Sequence, residues 1–313
     1  MKLLTIGTGR ASRIADIFAS KGARVNNVNL FKTFAIVQSI DSLKSLRHVE
    51  DKRRFYAVYR DGEVDVRSAF NNILSFNELF EASFIICDLQ DDFSYYTTLR
   101  LAEELYRTTE EPKLCLALAP PLESAENVNL TFMRVKSLLK AYDSLFLFET
   151  RDGFEDVLVK AFNVLSLVGE IDVRRRVSGE VVVDTSDFLN SLSREGVTVV
   201  AFNREVLPLK ILRRLKRKSY SETVAERTER MVRMFDSSLL NTSARGELKS
   251  AKKALIVFSG DPDEITMDGI FECIKAVERM NPDILVRYGD YPVPNARELN
   301  VVVLFSGIKK FRL

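Results

Sequence analysis

The stretch that most constrains this chain is Ser83 to Ala102, SFIICDLQDDFSYYTTLRLA. Phe84-Ile85-Ile86-Cys87 reads as a buried strand, Asp88 to Ser94 as a polar turn, and the remainder as a helix running toward Glu103-Glu104-Leu105. An apolar run of this length, bounded by turn residues and followed by a helix, belongs to a sheet covered on both faces. Ligands of such sheets sit beyond the carboxyl ends of the strands, where helix N-termini receive their phosphates. A phosphate turn wants glycines, so that backbone N–H groups close on the anion. This turn has Gln90, Asp91 and Asp92 instead. Its frame is that of a phosphate site and its filling is not.

The chain in order repeats the frame. Lys2 to Ile6 reads as a first strand, Gly7-Thr8-Gly9 as a turn, Ala11 to Lys21 as a helix stopped by Gly22, and Ala23 to Leu30 as a second strand. Further on come a strand at Phe55 to Tyr59, a helix-like segment at Ser75 to Glu81, a strand at Lys113 to Ala119, a helix near Asn129 to Ala141 and a strand at Leu145 to Phe148. This alternation specifies a Rossmann-like, doubly wound parallel sheet. Phe154 to Val173 reads as a long helix with a wide apolar stripe, the pattern of a helix packed between two bodies. Beyond it, helices near Asp184 to Ser193, Glu222 to Phe235 and Thr266 to Met280 are mixed with strands at Val197 to Phe202, Ala254 to Phe258, Ile284 to Tyr288 and Val301 to Phe305, without strict alternation. The expected division is a nucleotide-binding-like domain over 1–153, a connecting helix over 154–178 and a smaller α+β domain over 179–313.

A chain of 313 residues has room for two cores. A net charge of +2 gives no global pull toward nucleic acid or membrane, so any basic site must be local. Glycine numbers 13, about 4% against a usual ~7%, too few for several loops wrapped around phosphates. Cys87, Cys115 and Cys273 stand apart among apolar neighbours, without metal spacing, as buried thiols of a reducing compartment do. His48, the sole histidine, has no evident Ser or Cys partner. No signal peptide and no apolar run of ~20 residues is present, and the expected location is cytoplasmic.

Three groups of residues carry possible chemistry. Gly7-x-Gly9-x-x-Ser12 is an incomplete dinucleotide fingerprint, equally readable as a tight strand-to-helix turn. Asp184 and Asp187 stand three apart, as in a helix start. Lys210, Arg213, Arg214, Lys216, Arg217 and Lys218 make a basic segment with Leu and Ile interspersed, readable as a solvated loop or as a surface for anionic lipid or nucleic acid.

The collinear order of elements and several phrases resemble the tubulin/FtsZ superfamily, most of all its archaeal FtsZ-like and CetZ-like members. The phrases are Val182-Val183-Asp184-Thr185-Ser186-Asp187, Ser237-Ser238-Leu239-Leu240 followed by Ala251 to Gly260 and Asp261-Pro262-Asp263, Val301 to Gly307, and in the first half Asn29 to Lys32 and Lys44 to Phe55. The resemblance implies a cytoskeletal protein with GTP in the first domain and, after the central helix, acids that complete a neighbour's site. Carried over, the glycine signature falls on Gln90 to Tyr96 and the base-contacting pair on Thr150-Arg151. The first glycine loop keeps only Gly7 and Gly9. Asp184 and Asp187 fall on both acids of the loop after the central helix, where they could act on a neighbour's nucleotide or simply cap a helix.

The expected function is therefore that of a cytoskeletal homologue with a degenerate GTP site, not itself a catalyst, which assembles with itself or with an active FtsZ- or CetZ-type relative. No cofactor and no metal is expected. The alternatives are an active GTPase using Mg²⁺ on Asp91 and Asp92, which read equally as caps of a helix N-terminus, and a lipid- or nucleic-acid-binding module acting through Lys210 to Lys218. The chain is also expected to lack the linker and adaptor peptide by which FtsZ reaches the membrane.

Overall fold

Strand after strand along this chain is apolar on both faces, and the structure accounts for it. In a computed structural model describing residues 1–121, 128–170, 181, 183–207 and 220–310, ten strands form one sheet. They are β1 (Leu3–Thr8), β2 (Phe31–Val37), β3 (Arg54–Tyr56), β4 (Ala82–Asp88), β5 (Lys113–Ala119), β6 (Ser144–Glu149), β7 (Val197–Val206), β8 (Lys253–Gly260), β9 (Leu285–Pro292) and β10 (Glu298–Ile308). Their spatial order is β9-β8-β10-β7-β6-β5-β4-β1-β2-β3, and β10 alone runs antiparallel to its neighbours. Two short hairpins, Arg24–Val25 with Val28–Asn29 and Tyr59–Arg60 with Glu63–Val64, lie outside it.

Two layers of helices sandwich the sheet. On one face α1 (Ser12–Lys21), α6 (Phe154–Leu167) and α7 (Thr185–Asn190) cover a core that takes Phe84 and Ile86 from β4. On the other, α3 (Arg67–Leu74), α4 (Asp92–Thr108), α5 (Val128–Ala141), α8 (Tyr220–Leu240) and α9 (Met267–Met280) cover a core that takes Ile85 and Cys87. Successive residues of a strand point to opposite faces, so a strand buried on both sides has no polar alternation to show. Phe162 of α6 meets the rings of Phe18, Phe84, Phe146 and Phe148. A short α2 (Ile40–Ser45) lies on the surface.

Three sequence expectations shift. Ala23 to Leu30 is a hairpin turning at Asn26 and Asn27, both at positive φ, and the second sheet strand is Phe31–Val37. The helix placed at Ser75 to Glu81 lies earlier, as α3. The long helix ends at Leu167, not Val173, because Gly169 adopts φ +77°, which terminates a helix and is easy only for glycine. The sheet also runs on past this helix: Leu145 and Phe146 of β6 pair with Val197 and Thr198 of β7.

Candidate functional site

The cleft expected at the carboxyl ends of β1 and β4 is built from the turns that follow them. Gly7 lies within β1, where a Cβ would stand 2.6 Å from Ser12 Cα, so its smallness serves the packing of α1 on the strand. Gly9 is at φ +51°, and a Cβ there would stand 2.3 Å from Asp91 Oδ2. The Asp91 carboxylate thus rests against the first turn. Its Oδ2 accepts from Arg10 N at 2.8 Å, and its Oδ1 accepts from Phe93 N at 3.1 Å, as the N-cap of α4. Backbone N–H groups at a helix N-terminus are the donors an incoming anion would use. Here a side chain of the protein already uses them.

The neighbours reinforce that arrangement. Arg10 Nε lies 3.3 Å from Asp88 Oδ2 and 3.9 Å from Asp91 Oδ2. Burial pushes the Asp88 carboxyl upward, opposed by the hydrogen bond from Gln90 N and by the charge of Arg10. Thr8 Oγ1 donates to Ile86 O at 2.9 Å and lies 2.8 Å from Ser94 Oγ and 3.1 Å from Thr98 Oγ1, which ties the two turns together under the cleft. Phe93 is buried, and Tyr59 of the second hairpin packs between Phe93 and Tyr96. Asp92 turns away from Asp91 toward α5, where it pairs with Arg134; that guanidinium also donates to Leu89 O at 2.7 Å and lies 4.8 Å from the centre of the Tyr95 ring. Arg134 is only 6% exposed, and sequence reasoning passed over it. Its signal was one arginine on the buried stripe Thr131, Arg134, Val135 and Leu138.

Thr150 and Arg151 do not join this cluster. Thr150 N donates to Ala119 O at 2.8 Å, and Arg151 pairs with Glu149, which also accepts from Arg245 N at 2.9 Å. Their contacts hold the end of β6 to β5 and to the second half of the chain.

Asp184 and Asp187 lie at the other end of the sheet. Thr185 Oγ1 donates to Glu81 Oε1 at 3.1 Å, and Glu81 immediately precedes β4, whereas Asp91 follows it. The seven residues of β4 put the two sites about 20 Å apart. One molecule does not bring them together. Both acids form a reciprocal helix cap: Asp187 N donates to Asp184 Oδ1 at 2.8 Å, and Asp184 N to Asp187 Oδ2 at 3.3 Å. Ser186 Oγ, donating to Asp184 Oδ1 at 2.6 Å, holds that carboxyl below its ordinary range, with Asp187 N adding to the effect. Asp187 also lies 3.5 Å from Arg287 Nε. The capping reading of these residues is what the geometry displays.

Lys210, Arg213, Arg214, Lys216, Arg217 and Lys218 lie outside the described residues. Among the described residues, no group of three or more His, Cys, Asp or Glu side chains is arranged to hold a metal ion, and no helix is long and apolar enough to cross a membrane.

Comparison with known proteins follows the fold. The family model of the tubulin-like CetZ C-terminal domain matches residues 148–312. The tubulin-like protein CetZ1 of Haloferax volcanii is 28% identical over 66% of this chain, which spans 58% of that relative's length. CetZ4 of the same organism is 23% identical, covering 98% of this chain and 88% of its own. Among solved structures, the GDP-bound monomer of CetZ1 from Haloferax volcanii superposes with a TM-score of 0.78 at 20% identity, covering 99% of this chain and 95% of the other. The GTPγS-bound protofilament of CetZ2 gives 0.76 at 18%, covering 100% and 95%, and the empty FtsZ dimer of M. jannaschii gives 0.69 at 16%, covering 100% and 93%.

Proposed function

The chain belongs to the tubulin-like CetZ family of the tubulin/FtsZ superfamily, and on that premise we propose that it is a cytoskeletal homologue that assembles without binding or turning over GTP. One observation carries the reading. The Asp91 carboxylate sits on Arg10 N and Phe93 N, filling with the protein's own anion the place a phosphate would take. A triphosphate brought there would meet that charge at about 4 Å, a repulsion of ~1 kcal/mol in water and ~4 kcal/mol in a partly buried site. Phe93 also occupies space that glycine would leave open. The residues present do not fit a nucleotide.

Assembly is the part of the family's behaviour that this reading keeps. A CetZ2 structure is a protofilament, and self-association of this chain, or its addition to filaments of an active relative, follows by likeness. The cap residues, exposed Asp184 and half-buried Asp187, at the end opposite the filled cleft, are the surface proposed to meet a neighbour.

Equilibrium titration with a fluorescent GTP analogue, with and without Mg²⁺, tests the cleft. The expected outcome is no saturation below millimolar concentration, and saturation in the micromolar range would overturn the reading. Co-sedimentation with a GTP-assembled CetZ-type relative tests the surface: the chain is expected in the pellet, and Asp184→Ala is expected to reduce it. A partner polymer unchanged in amount and turnover would remove the filament-modulating role.

A further inference from the structure

The amino ends of β5, β6 and β8 enclose, with the end of α7, a cavity of about 420 Å³, inside the range of roughly 300–1,000 Å³ that small-molecule sites occupy. Every residue of its wall is among the described ones. Leu114 of β5, Leu189 of α7 and Leu192 just beyond it give the wall an apolar side, and Glu110, Asp143, Arg194 and Lys253 give it charge. The cavity lies at the end of the sheet opposite the Asp91 cleft.

Two of those charges cancel on the spot. Asp143 Oδ1 accepts from Tyr106 Oη at 2.8 Å and pairs with Arg194, and its Oδ2 accepts from Lys113 N at 2.8 Å. Lys253 is placed differently. Its Nζ donates to Asn190 O and to Leu192 O, each at 2.8 Å, as a cation at the end of a helix. Carbonyl oxygens take up hydrogens without cancelling the charge, and among the described residues no carboxylate pairs with this ammonium. Burial pushes it below its ordinary range, and the charge of Arg287 adds to the effect. An ammonium has three N–H groups, so one remains for a ligand. Glu110, also without an ion pair, is exposed. A charge in water is screened about fourfold more than one in a partly buried site, so the wall's net pull is on anions.

We propose that this cavity binds a small carboxylic acid with an apolar body, the carboxylate on Lys253 and the body against Leu114, Leu189 and Leu192. Each part of such a ligand answers a separate part of the wall. A wholly polar anion would leave the leucines wet, forgoing about 25 cal/mol per Å² of apolar surface. A neutral apolar molecule would desolvate Lys253 further and bring it no counter-charge.

The test uses the whole chain without nucleotide, so that its result is separate from the nucleotide reading. Anilinonaphthalene sulfonate, an apolar anion that fluoresces when sheltered from water, is expected to saturate one site per chain. Phenylbutyrate is expected to displace it, and phenylbutyramide, alike in shape but uncharged, about tenfold less well, as for loss of one charge-assisted hydrogen bond. Lys253→Met, neutral and of similar length, is expected to weaken the probe about tenfold. Because that change also uncaps α7, Leu189→Trp is the second variant: it keeps every charge, fills the cavity and is expected to abolish saturation. Probe binding unchanged in Leu189→Trp, or equal displacement by acid and amide, would sink the proposal. So would a parent chain that shows no saturation below about 1 mM.

Discussion

Asp91 joins two turns and caps a helix with one carboxylate, so its removal separates its roles. Asp91→Ala loses both acceptors and is expected to lower the free energy of unfolding by about 1–2 kcal/mol in urea titration, as for a lost N-cap. Asp91→Asn keeps a capping oxygen and is expected to cost under about 0.5 kcal/mol, since Asn and Asp cap equally well. Equal losses in both would place the effect in the charge instead. Asp184 answers to pH. Its folded-state carboxyl lies below its ordinary range, held there by Ser186 and Asp187 N. The stability it contributes is therefore complete above the ordinary carboxyl range and is lost as pH falls through the lowered folded value. Asp184→Asn retains the cap, and its urea midpoint is expected to fall less than the parent's between neutral and acid pH. The thiols of Cys87 and Cys273 are both pushed up to about 12 by burial. With Cys115 also buried, Ellman's reagent is expected to find no reactive thiol in the native protein and three after unfolding. Early reaction of any one would contradict the packing.

At the scale of elements, α4 and α5 are bound by a residue that periodicity assigns to core. Arg134 reaches from α5 to Leu89 O and Asp92, across the turn where glycines were expected. Arg134→Met fills similar volume but strands the Leu89 carbonyl, and the expected loss is about 1–3 kcal/mol of stability in urea. Its larger effect is expected on the turn: amide exchange at Gln90 and Phe93 should rise while that of β4 stays slow. Uniform acceleration through β4 would mean that Arg134 supports the core rather than the turn. The hairpin of Tyr59 belongs to the same assembly, because its ring packs on the first turn of α4. Nothing local in Phe55 to Tyr59 announces that contact, since its partners lie more than thirty residues away in sequence.

Among the described residues, one ten-stranded sheet carries a core on each face, and α6 packs against its middle strands. Phe162→Ala empties a site lined by four rings and is expected to cost about 3–5 kcal/mol. Because β6 pairs with β7, the amides of β4 and of β8 are expected to lose protection together in that variant. Loss confined to β4 would show that the halves unfold separately. Much of this architecture was legible locally. The apolar runs at Ala82–Asp88, Lys113–Ala119 and Ser144–Glu149, each followed by a polar turn, carry the parallel sheet in their composition, and collinear phrases carry the family. The absence of glycine from the turn at Gln90 to Tyr96 was equally plain, because composition is read directly and glycine alone takes left-handed turns without steric cost. Capping by Asp91 was one option readable from its place ahead of the helix, whereas its second contact, with Arg10 N, was not. The contact of Asp91 with Arg10 N joins positions 81 residues apart, that of Val181 with Asp290 joins positions 109 apart, and Arg134 reaches the turn from a separate helix. Pattern fixes which residues are apolar and where the chain can turn. Which distant donor meets which acceptor is decided only when the strands take their order in the sheet, because burial then obliges every polar group to find a partner.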